Sequence, residues 1–594
     1  MRRRGIWLIM SWVVILALVL LSCRQAVPTE PTEEEKSVTG EVIEEAEEEE
    51  VSEKEVVPEG KGPTYGGTLT LATNLEILHF DPHLGQDPSS ELAQSTFLEE
   101  LGIGDWSVDR EKCPFISYVP VEYAKGLLAE SWEAPDPLTY IFHMRKGVNW
   151  HNRPPANGRE FTAYDAEYGW HRMLGLGHGY TKPAPYFPSH KFTAVTSVEA
   201  TDKYTLVFKL SEPQPMMLED ITTSAVGDFL ACPDVIEQYG DADDWRHAIG
   251  TGPFMVEDYV SSGSLTLAKN PNYWGYDELH PENRIPYVDK LLILIIPDDS
   301  TRLAALRTGK VDRLSGLDLQ QAEGLRQTNT ELQWKEYRGS AVCFNMRNDL
   351  EPFTDKRVRK TLQMAINLEE IVETYYGGNA DLLPSPVNAN LAGIWVPLSE
   401  YPEEVQETFS YNPEKAKQLL AEAGFPNGFK TSVYVSTARP TELDMAELAK
   451  GYWEKIGVDL EINVMETAAA TALAYGRKYE TMVALWTSMS AQPVGVLTYW
   501  YPGIAWNFCM TNDPEFNSLI DAARVEPDAE KRTELFRQAN MYGTSQYWYV
   551  GFPVRYMYTF WQPWLKGYHG ELLLGVSQVS AWMARVWIDQ DLKP

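Results

Sequence analysis

Few side chains of this chain could do chemistry, and their spacing fits no common catalytic or metal-binding motif. His143, His151 and His171 are eight and twenty residues apart, which matches no standard set of metal ligands. The sequence has no HExxH or GxSxG segment, the commonest hydrolase signatures. It also has no CxxC segment that would indicate a zinc or redox site. The sequence therefore predicts no enzyme, no metal site and no other cofactor.

Four cysteines lie in the body of the chain, at Cys113, Cys232, Cys343 and Cys509. Outside the cytoplasm disulfides are permitted, and four thiols allow three complete pairings. The sequence does not choose among these pairings, and four free buried thiols are the alternative.

Aromatic rings are the most abundant candidate ligand contacts. They make up 12% of the residues, with 19 Trp and 31 Tyr. Tyr499, Trp500 and Tyr501 are consecutive, and Trp506 follows closely. Such rings can stack on planar groups or sugar faces, although core packing is the alternative reading.

The charge balance argues against one class of partner. The chain has 51 basic and 85 acidic residues and a formal net charge of −34. Binding to nucleic acid requires a basic surface that neutralises phosphates. We therefore expect no nucleic-acid partner.

The amino terminus has the features of an export signal. Residues 2–4 are arginines, residues 6–21 form an apolar run, and Cys23 follows Ser22. Residues 20–23 (LLSC) resemble the lipobox of bacterial lipoproteins, which implies removal of a signal peptide 1–22 and lipidation of Cys23. The alternative is a membrane-spanning anchor that is never cut.

Residues 23–62 are predicted to be a disordered acidic tether. They include the glutamate runs 33–35 and 47–50 and no aromatic residue, so they bury too little surface to fold. A flexible chain of this length reaches roughly 35 Å. Together with a lipidated Cys23, the tether predicts an exported protein held at the outer face of the cytoplasmic membrane.

The remaining sequence alternates strand and helix patterns. Strands are predicted at 67–72, 139–144, 204–210, 265–267, 291–296 and 458–465, and helices at 162–174, 301–308, 355–367, 413–423 and 445–456. Interleaved strands and helices are typical of mixed α/β domains.

A series of short motifs then resembles one family along residues 63–594. In chain order they are 128–133 (LAESWE), 138–148 (LTYIFHMRKGV), 161–166 (FTAYDA), 250–254 (GTGPF), 269–274 (KNPNYW), 296–301 (IPDDST), 355–360 (DKRVRK), 412–416 (NPEKA), 513–516 (DPEF) and 566–568 (KGY). This series is similar to that of the family 5 extracellular solute-binding proteins, the receptors of peptide, nickel and oligosaccharide ABC importers.

The resemblance implies an α/β, two-lobed periplasmic-binding-protein fold of type II, with the ligand enclosed between the lobes. Lobe one would comprise residues 63–296 and 555–594, with an extra subdomain near 105–195. Lobe two would comprise residues 297–554. The chain would cross between them at two hinge segments, Ile296-Pro297 and Pro553-Val554, and a ligand would drive hinge closure.

The resemblance also implies where the ligand binds. A loop of lobe one containing Gln86, Asp87 and Pro88 matches one that lines the family's cleft. In lobe two, Trp486, Thr487, Ser488 and Met489 match a loop in which the peptide-binding members carry Asp at the last position, paired with the peptide's ammonium group. Met489 removes that carboxylate, which disfavours ligands with a free amino terminus unless Asp87 replaces it. Trp500 and Trp506 are the candidate stacking rings.

These features predict the receptor of an ABC importer. Its partners would be a small solute, permease subunits with a cytoplasmic ATPase, and the membrane through the lipid anchor, and the protein would be a monomer. A peptide is the first candidate solute, and an oligosaccharide or a nickel chelate is the alternative within the family. A chaperone or signalling receptor on the same fold is a further alternative.

Overall fold

The computed structural model describes residues 62–594 apart from 86, 186, 188, 225–226, 383–386, 388, 390, 392, 438, 488–492 and 576–577. The predicted signal peptide, the tether and Cys23 lie outside this description, as do Gln86, Ser488 and Met489. Among the described residues, no helix combines the length and the apolar character needed to cross a bilayer.

The strands follow in chain order. They are β1 (Thr68–Thr73), β2 (Gly102–Gly104), β3 (Ala124–Gly126), β4 (Ala129–Asp136), β5 (Thr139–Met144), β6 (Val195–Asp202), β7 (Thr205–Leu210), β8 (Phe254–Val260), β9 (Ser264–Lys269), β10 (Lys290–Ile295), β11 (Arg313–Leu317), β12 (Gln333–Arg338), β13 (Val342–Met346), β14 (Ala380–Asp381), β15 (Lys430–Ser436), β16 (Asp459–Met465), β17 (Met482–Trp486), β18 (Tyr549–Gly551), β19 (Val554–Trp561), β20 (Leu565–Lys566) and β21 (Trp587–Ile588).

The α-helices connect these strands. They are α1 (Pro88–Phe97), α2 (Ala163–Leu174), α3 (Met217–Glu219), α4 (Pro233–Tyr239), α5 (Asp299–Arg307), α6 (Leu319–Thr328), α7 (Lys356–Met364), α8 (Leu368–Thr374), α9 (Glu403–Thr408), α10 (Pro413–Glu422), α11 (Pro440–Glu454), α12 (Thr467–Tyr475), α13 (Pro493–Leu497), α14 (Pro514–Val525) and α15 (Ala529–Ser545).

The largest sheet has eight strands in the order β12-β19-β11-β1-β10-β9-β8, with β14 also paired to β19. β1 runs parallel to both β10 and β11. In β1 the buried residues alternate with half-buried ones, so Leu69 and Leu71 point into the core beneath the sheet. This alternation is the pattern that predicted the strand from sequence.

A separate four-stranded antiparallel sheet, in the order β4-β5-β7-β6, carries α2 on one face. The start of α2 is the predicted one. The side chains of Thr162 and Asp165 form a reciprocal capping box, which satisfies backbone N–H groups of the first turn. The helix ends at Gly175, whose φ of 72° lies in the left-handed region that glycine tolerates best.

The third main sheet has five strands in the order β16-β15-β17-β13-β18. β15 is parallel to β16 and β17, whereas β13 is antiparallel to β17 and β18. All five residues of β13 are buried, as expected for a strand covered on both faces. In the core that packs against this sheet, Phe344 of β13 meets Trp453 of α11 edge-on.

The chain passes between the eight-stranded and five-stranded sheets through two short connections, apart from the longer segments that place β14 beside β19. It leaves the eight-stranded sheet after Arg338 and enters the five-stranded sheet at Val342, and it returns between Gly551 and Val554. The return coincides with the predicted Pro553-Val554 segment. The predicted Ile296-Pro297 segment is not a change of sheet, because β11 and β12 follow it and pair with β1 and β19.

The helix predicted over 355–367 is also wrong in extent. Within that range α7 ends at Met364, and a new helix, α8, begins at Leu368 with Asn367 as its cap. Its side-chain Oδ1 accepts a hydrogen bond from the backbone N–H of Glu370 at 3.1 Å, the geometry of a helix cap.

Candidate ligand-binding site

A cavity of about 340 Å³ lies beside the five-stranded sheet. It is bounded by β15 and β17, by α11 and α12, and by the aromatic segment 499–508. Eight of the residues that line it are aromatic: Tyr434, Tyr475, Trp486, Tyr499, Trp500, Trp506, Phe508 and Tyr549. Its size and largely aromatic wall are typical of a small-molecule site.

Trp486 and Thr487 stand at the end of β17, where the strand opens into the cavity. Two hydrogen bonds with Ala341 fix Thr487. The Thr487 N–H donates to the Ala341 carbonyl at 2.9 Å, and the Thr487 Oγ1 accepts from the Ala341 N–H at 3.0 Å. The half-buried Trp486 ring is covered by the Arg555 guanidinium, 4.7 Å from the ring centroid. Both residues were predicted to bind ligand, and both line this cavity.

The described lining contains one ion pair, between Arg439 and Glu442 of the loop and first turn of α11. The Arg439 Nη1 donates to Glu442 Oε1 at 3.0 Å, and the backbone N–H of Ser436 donates to Oε2 at 3.1 Å. Burial raises the pKa of Glu442, although both of these donors act in the opposite direction. Both carboxylate oxygens therefore already have a donor within the protein.

The two predicted stacking tryptophans occupy different environments. Trp506 is 45% exposed and meets Tyr499 edge-on with the ring centroids 5.6 Å apart. Trp500 also borders the cavity but is 2% exposed, and it packs against Phe516, Trp548 and Tyr549. The core-packing alternative therefore describes Trp500, while Trp506 has an accessible face.

Asp87 and Pro88 lie outside the cavity lining and begin α1. Asp87 Oδ1 accepts hydrogen bonds from the backbone N–H groups of Ser89 and Ser90 at 3.0 and 3.1 Å, and Ser90 Oγ donates to Oδ2. Asp87 is thus a helix cap. A direct contact of Asp87 with ligand stays a prediction.

The loop before α1 is held by a buried ion pair that the sequence did not indicate. Arg172 of α2 donates from Nη1 and Nη2 to the two oxygens of Asp81, at 2.8 and 2.7 Å. Burial opposes the ionisation of Asp81, but the hydrogen bonds and charge of Arg172 outweigh it and lower the pKa. Asp81 therefore remains a carboxylate inside the protein.

The four body cysteines are all buried and free. Cys343 lines the cavity, and Asn345 links it to Cys509, because Asn345 Nδ2 lies 3.5 Å from one sulfur and Oδ1 lies 3.2 Å from the other. Of the alternatives open from sequence, the structure shows free thiols. Within the described ranges, no group of three His, Cys, Asp or Glu side chains is placed to hold a metal ion.

Sequence reasoning missed the cavity residues supplied by helices. These residues are Arg439, Glu442, Thr467 and Thr471, which come from α11, α12 and the turn that precedes α11. The one sequence signal for a polar group in the cavity was Glu442, an acidic residue in the first turn of α11. An acidic residue at that position is equally typical of a helix start.

The separate sheets and the cavity define the class of protein as a two-lobed binding protein, and known proteins share this fold. A periplasmic binding protein from Helicobacter pylori, solved in complex with the peptide STSA, superposes with a TM-score of 0.71 at 25% sequence identity. The alignment covers 89% of this chain and 99% of that protein.

The sequence comparisons then give the family. The model of the bacterial extracellular solute-binding proteins, family 5, matches residues 124–508. The chain is 30% identical over 447 residues to Heme-binding protein A of Haemophilus influenzae, covering 71% of this chain and 78% of that protein. It is 28% identical over 438 residues to the Dipeptide-binding protein of Escherichia coli, covering 70% and 78%. The chain belongs to family 5 of the bacterial extracellular solute-binding proteins, which are transport receptors and not enzymes.

Proposed function

We propose that the protein is the lipid-anchored receptor of an ABC importer, which captures a peptide-like solute and delivers it to a permease. The cavity beside β17, with its aromatic wall, supports this proposal. The anchor would be lipid on Cys23, which places the receptor at the outer face of the cytoplasmic membrane.

A peptide is the favoured solute, because the names of several relatives state that they bind peptides. The E. coli relative is a dipeptide-binding protein, and the H. pylori structure holds a bound peptide. The name of the H. influenzae relative, a heme-binding protein, adds a large planar ligand as a second candidate. The cavity rings would stack on either an aromatic side chain or a planar ligand.

The proposed solute presents no free ammonium group to this cavity. Met489 stands where the peptide-binding pattern has Asp. Glu442 is the acidic residue in the described lining, and its two oxygens are taken by Arg439 and Ser436. A buried ammonium group without a carboxylate partner costs free energy, so blocked or uncharged ligands would bind as well as free peptides. An oligosaccharide, whose sugar faces stack on Trp506 and Tyr499, is the alternative that this observation favours.

Capture would involve closure of two lobes about the segments that change sheets. We place these hinges at 338–342 and at Pro553-Val554, so that β11 and β12 move with lobe one. The chain on either side of each segment is hydrogen-bonded into a sheet, which leaves the short connections to absorb the change in backbone angles.

A thermal-shift panel on the purified protein tests the ligand class. The panel compares free dipeptides and tripeptides, the same peptides with acetylated amino groups, oligosaccharides and heme. We expect at least one blocked or uncharged ligand to raise the melting temperature as much as its free counterpart. A ligand at 100 times its dissociation constant stabilises the folded state by about 2.7 kcal/mol, which is readily measured.

Shifts from free peptides alone, lost on acetylation, would contradict the proposal. In that case Asp87→Asn should abolish the shifts, since Asp87 is the remaining candidate for the ammonium group.

A further inference from the structure

A second cavity, of about 440 Å³, lies where β3 and the start of β4 meet the turn after β5 and the segment 273–285 between β9 and β10. Three of the motifs found in the sequence meet there. Glu130 comes from the motif at β4, Arg145 and Lys146 follow β5, and Trp274 comes from the 269–274 motif. None of the side chains that line the cavity beside β17 takes part in it.

The charge of this cavity is opposite to that of the protein. Four cationic side chains line it, Lys125, Arg145, Lys146 and Arg585, against the two carboxylates of Glu130 and Glu278. The whole chain carries a formal net charge of −34. A concave site with a surplus of two positive charges on such a protein concentrates anions locally.

The Glu278 carboxylate already forms ion pairs with two of the four cationic side chains. Arg585 donates to both of its oxygens at 2.7 and 2.9 Å, and both side chains are 5% exposed. Lys125 Nζ lies 3.3 Å from the same carboxylate. The positive charge left to a ligand is therefore carried by Arg145, Lys146 and the shared Lys125.

Arg145 is held rigidly but without a counter-charge. Its Nε and Nη2 donate to the carbonyls of Leu127 and Gly126 at 2.8 and 3.1 Å, and its guanidinium lies 4.4 Å from the Trp274 ring centroid. In the part of the chain that the structure describes, no carboxylate pairs with it. A guanidinium has five N–H donors, so three remain for a ligand oxyanion.

We infer that this second cavity binds a phosphate group, carried by a small soluble molecule or by a lipid headgroup. Two surplus positive charges match the charge of a phosphate monoester near neutral pH. The fixed Arg145 fork supplies directed hydrogen bonds, and the flexible Lys146 supplies charge at the rim. Tyr276, which is 54% exposed at the same cavity, provides an apolar surface for the remainder of the molecule.

Equilibrium dialysis of the full chain against radiolabelled inorganic phosphate, at low ionic strength, tests the inference. We expect saturable binding of one phosphate per chain. Arg145→Gln should weaken it at least about 10-fold, because it removes charge-assisted hydrogen bonds. Lys146→Gln, at an exposed position, should weaken it about 2- to 5-fold. Glu130→Gln should tighten it by a similar factor, a change that misfolding cannot imitate.

Arg246→Gln is the matched control, since Arg246 is an exposed arginine elsewhere on the surface, paired with Asp244. It should leave phosphate binding unchanged. Competition then separates the two sources: displacement by glycerol phosphate but not by glucose 6-phosphate assigns a lipid headgroup, and displacement by both assigns a soluble phosphate compound. Absence of saturable binding, or binding that Arg145→Gln and Glu130→Gln both leave unchanged, would overturn the inference.

Discussion

Replacing Arg172 with methionine should lower the free energy of unfolding by about 3–5 kcal/mol, because it leaves the Asp81 carboxylate buried without its partner. Asp81 is fully buried, and the Arg172 side chain is 8% exposed. Arg172 Nη1 also lies 2.9 Å from His83 Nδ1, and burial together with the Arg172 charge lowers the pKa of His83 to about 3. Chemical denaturation followed by circular dichroism measures the loss.

Arg246→Met is the control for this prediction, because Arg246 pairs with Asp244 at the surface with a side chain that is 65% exposed. Its effect should stay within about 0.5 kcal/mol. Asp81→Asn combined with Arg172→Met should recover part of the lost stability, since the charge left unpaired is then removed. Equal losses for the two single arginine variants would show that the buried pair does not anchor this loop.

Trp486→Ala should weaken binding of the solute by at least about 30-fold, equivalent to about 2 kcal/mol at a central aromatic contact. Trp486 is the half-buried ring at the end of β17, and the Arg555 guanidinium holds it in place over the cavity. Titration calorimetry with the ligand that gives the largest thermal shift measures the change. Trp500→Ala would be a poor test, because that 2% exposed ring belongs to the core and its loss destabilises the fold.

Trp334→Ala is the matched control for Trp486→Ala. Trp334 is also partly exposed and also covered by an arginine, with the Arg326 guanidinium 3.7 Å from its ring centroid. It lies in β12, outside the cavity, so its removal should leave the affinity unchanged. A similar loss of affinity in both variants would mean that general destabilisation, and not stacking in the cavity, weakens binding.

Local sequence patterns predicted the strands and helices whose bounds depend on neighbouring residues. The alternation in β5 gave Thr139–Met144 with the observed bounds, and the cap at Thr162 placed the start of α2. The sheet to which β11 and β12 belong was not predictable from such patterns, because pairing with β1 and β19 joins segments more than two hundred residues apart. The short connection between the two sheets at 338–342 was therefore missed.

Only some residues of the candidate site could be predicted from the sequence. Trp486 and Thr487 were found because their segment resembles a cleft loop of the family, and Trp506 because it lies in the aromatic stretch that follows. Glu442 and Arg439 were missed because their i,i+3 spacing does not reveal that this turn of α11 faces the cavity. Trp500 was chosen for its ring, but burial of a ring depends on the packing of α14 and α15, which only the structure supplies.

The central claim, that this protein is a solute receptor, is tested most directly by native mass spectrometry of the protein purified without added ligand. We predict that the wild-type protein retains one small solute per chain. Trp486→Ala should lose that solute, while Trp334→Ala should retain it. A wild-type protein that carries no solute and shows no melting shift with any panel member, or a solute retained equally by Trp486→Ala, would contradict the claim.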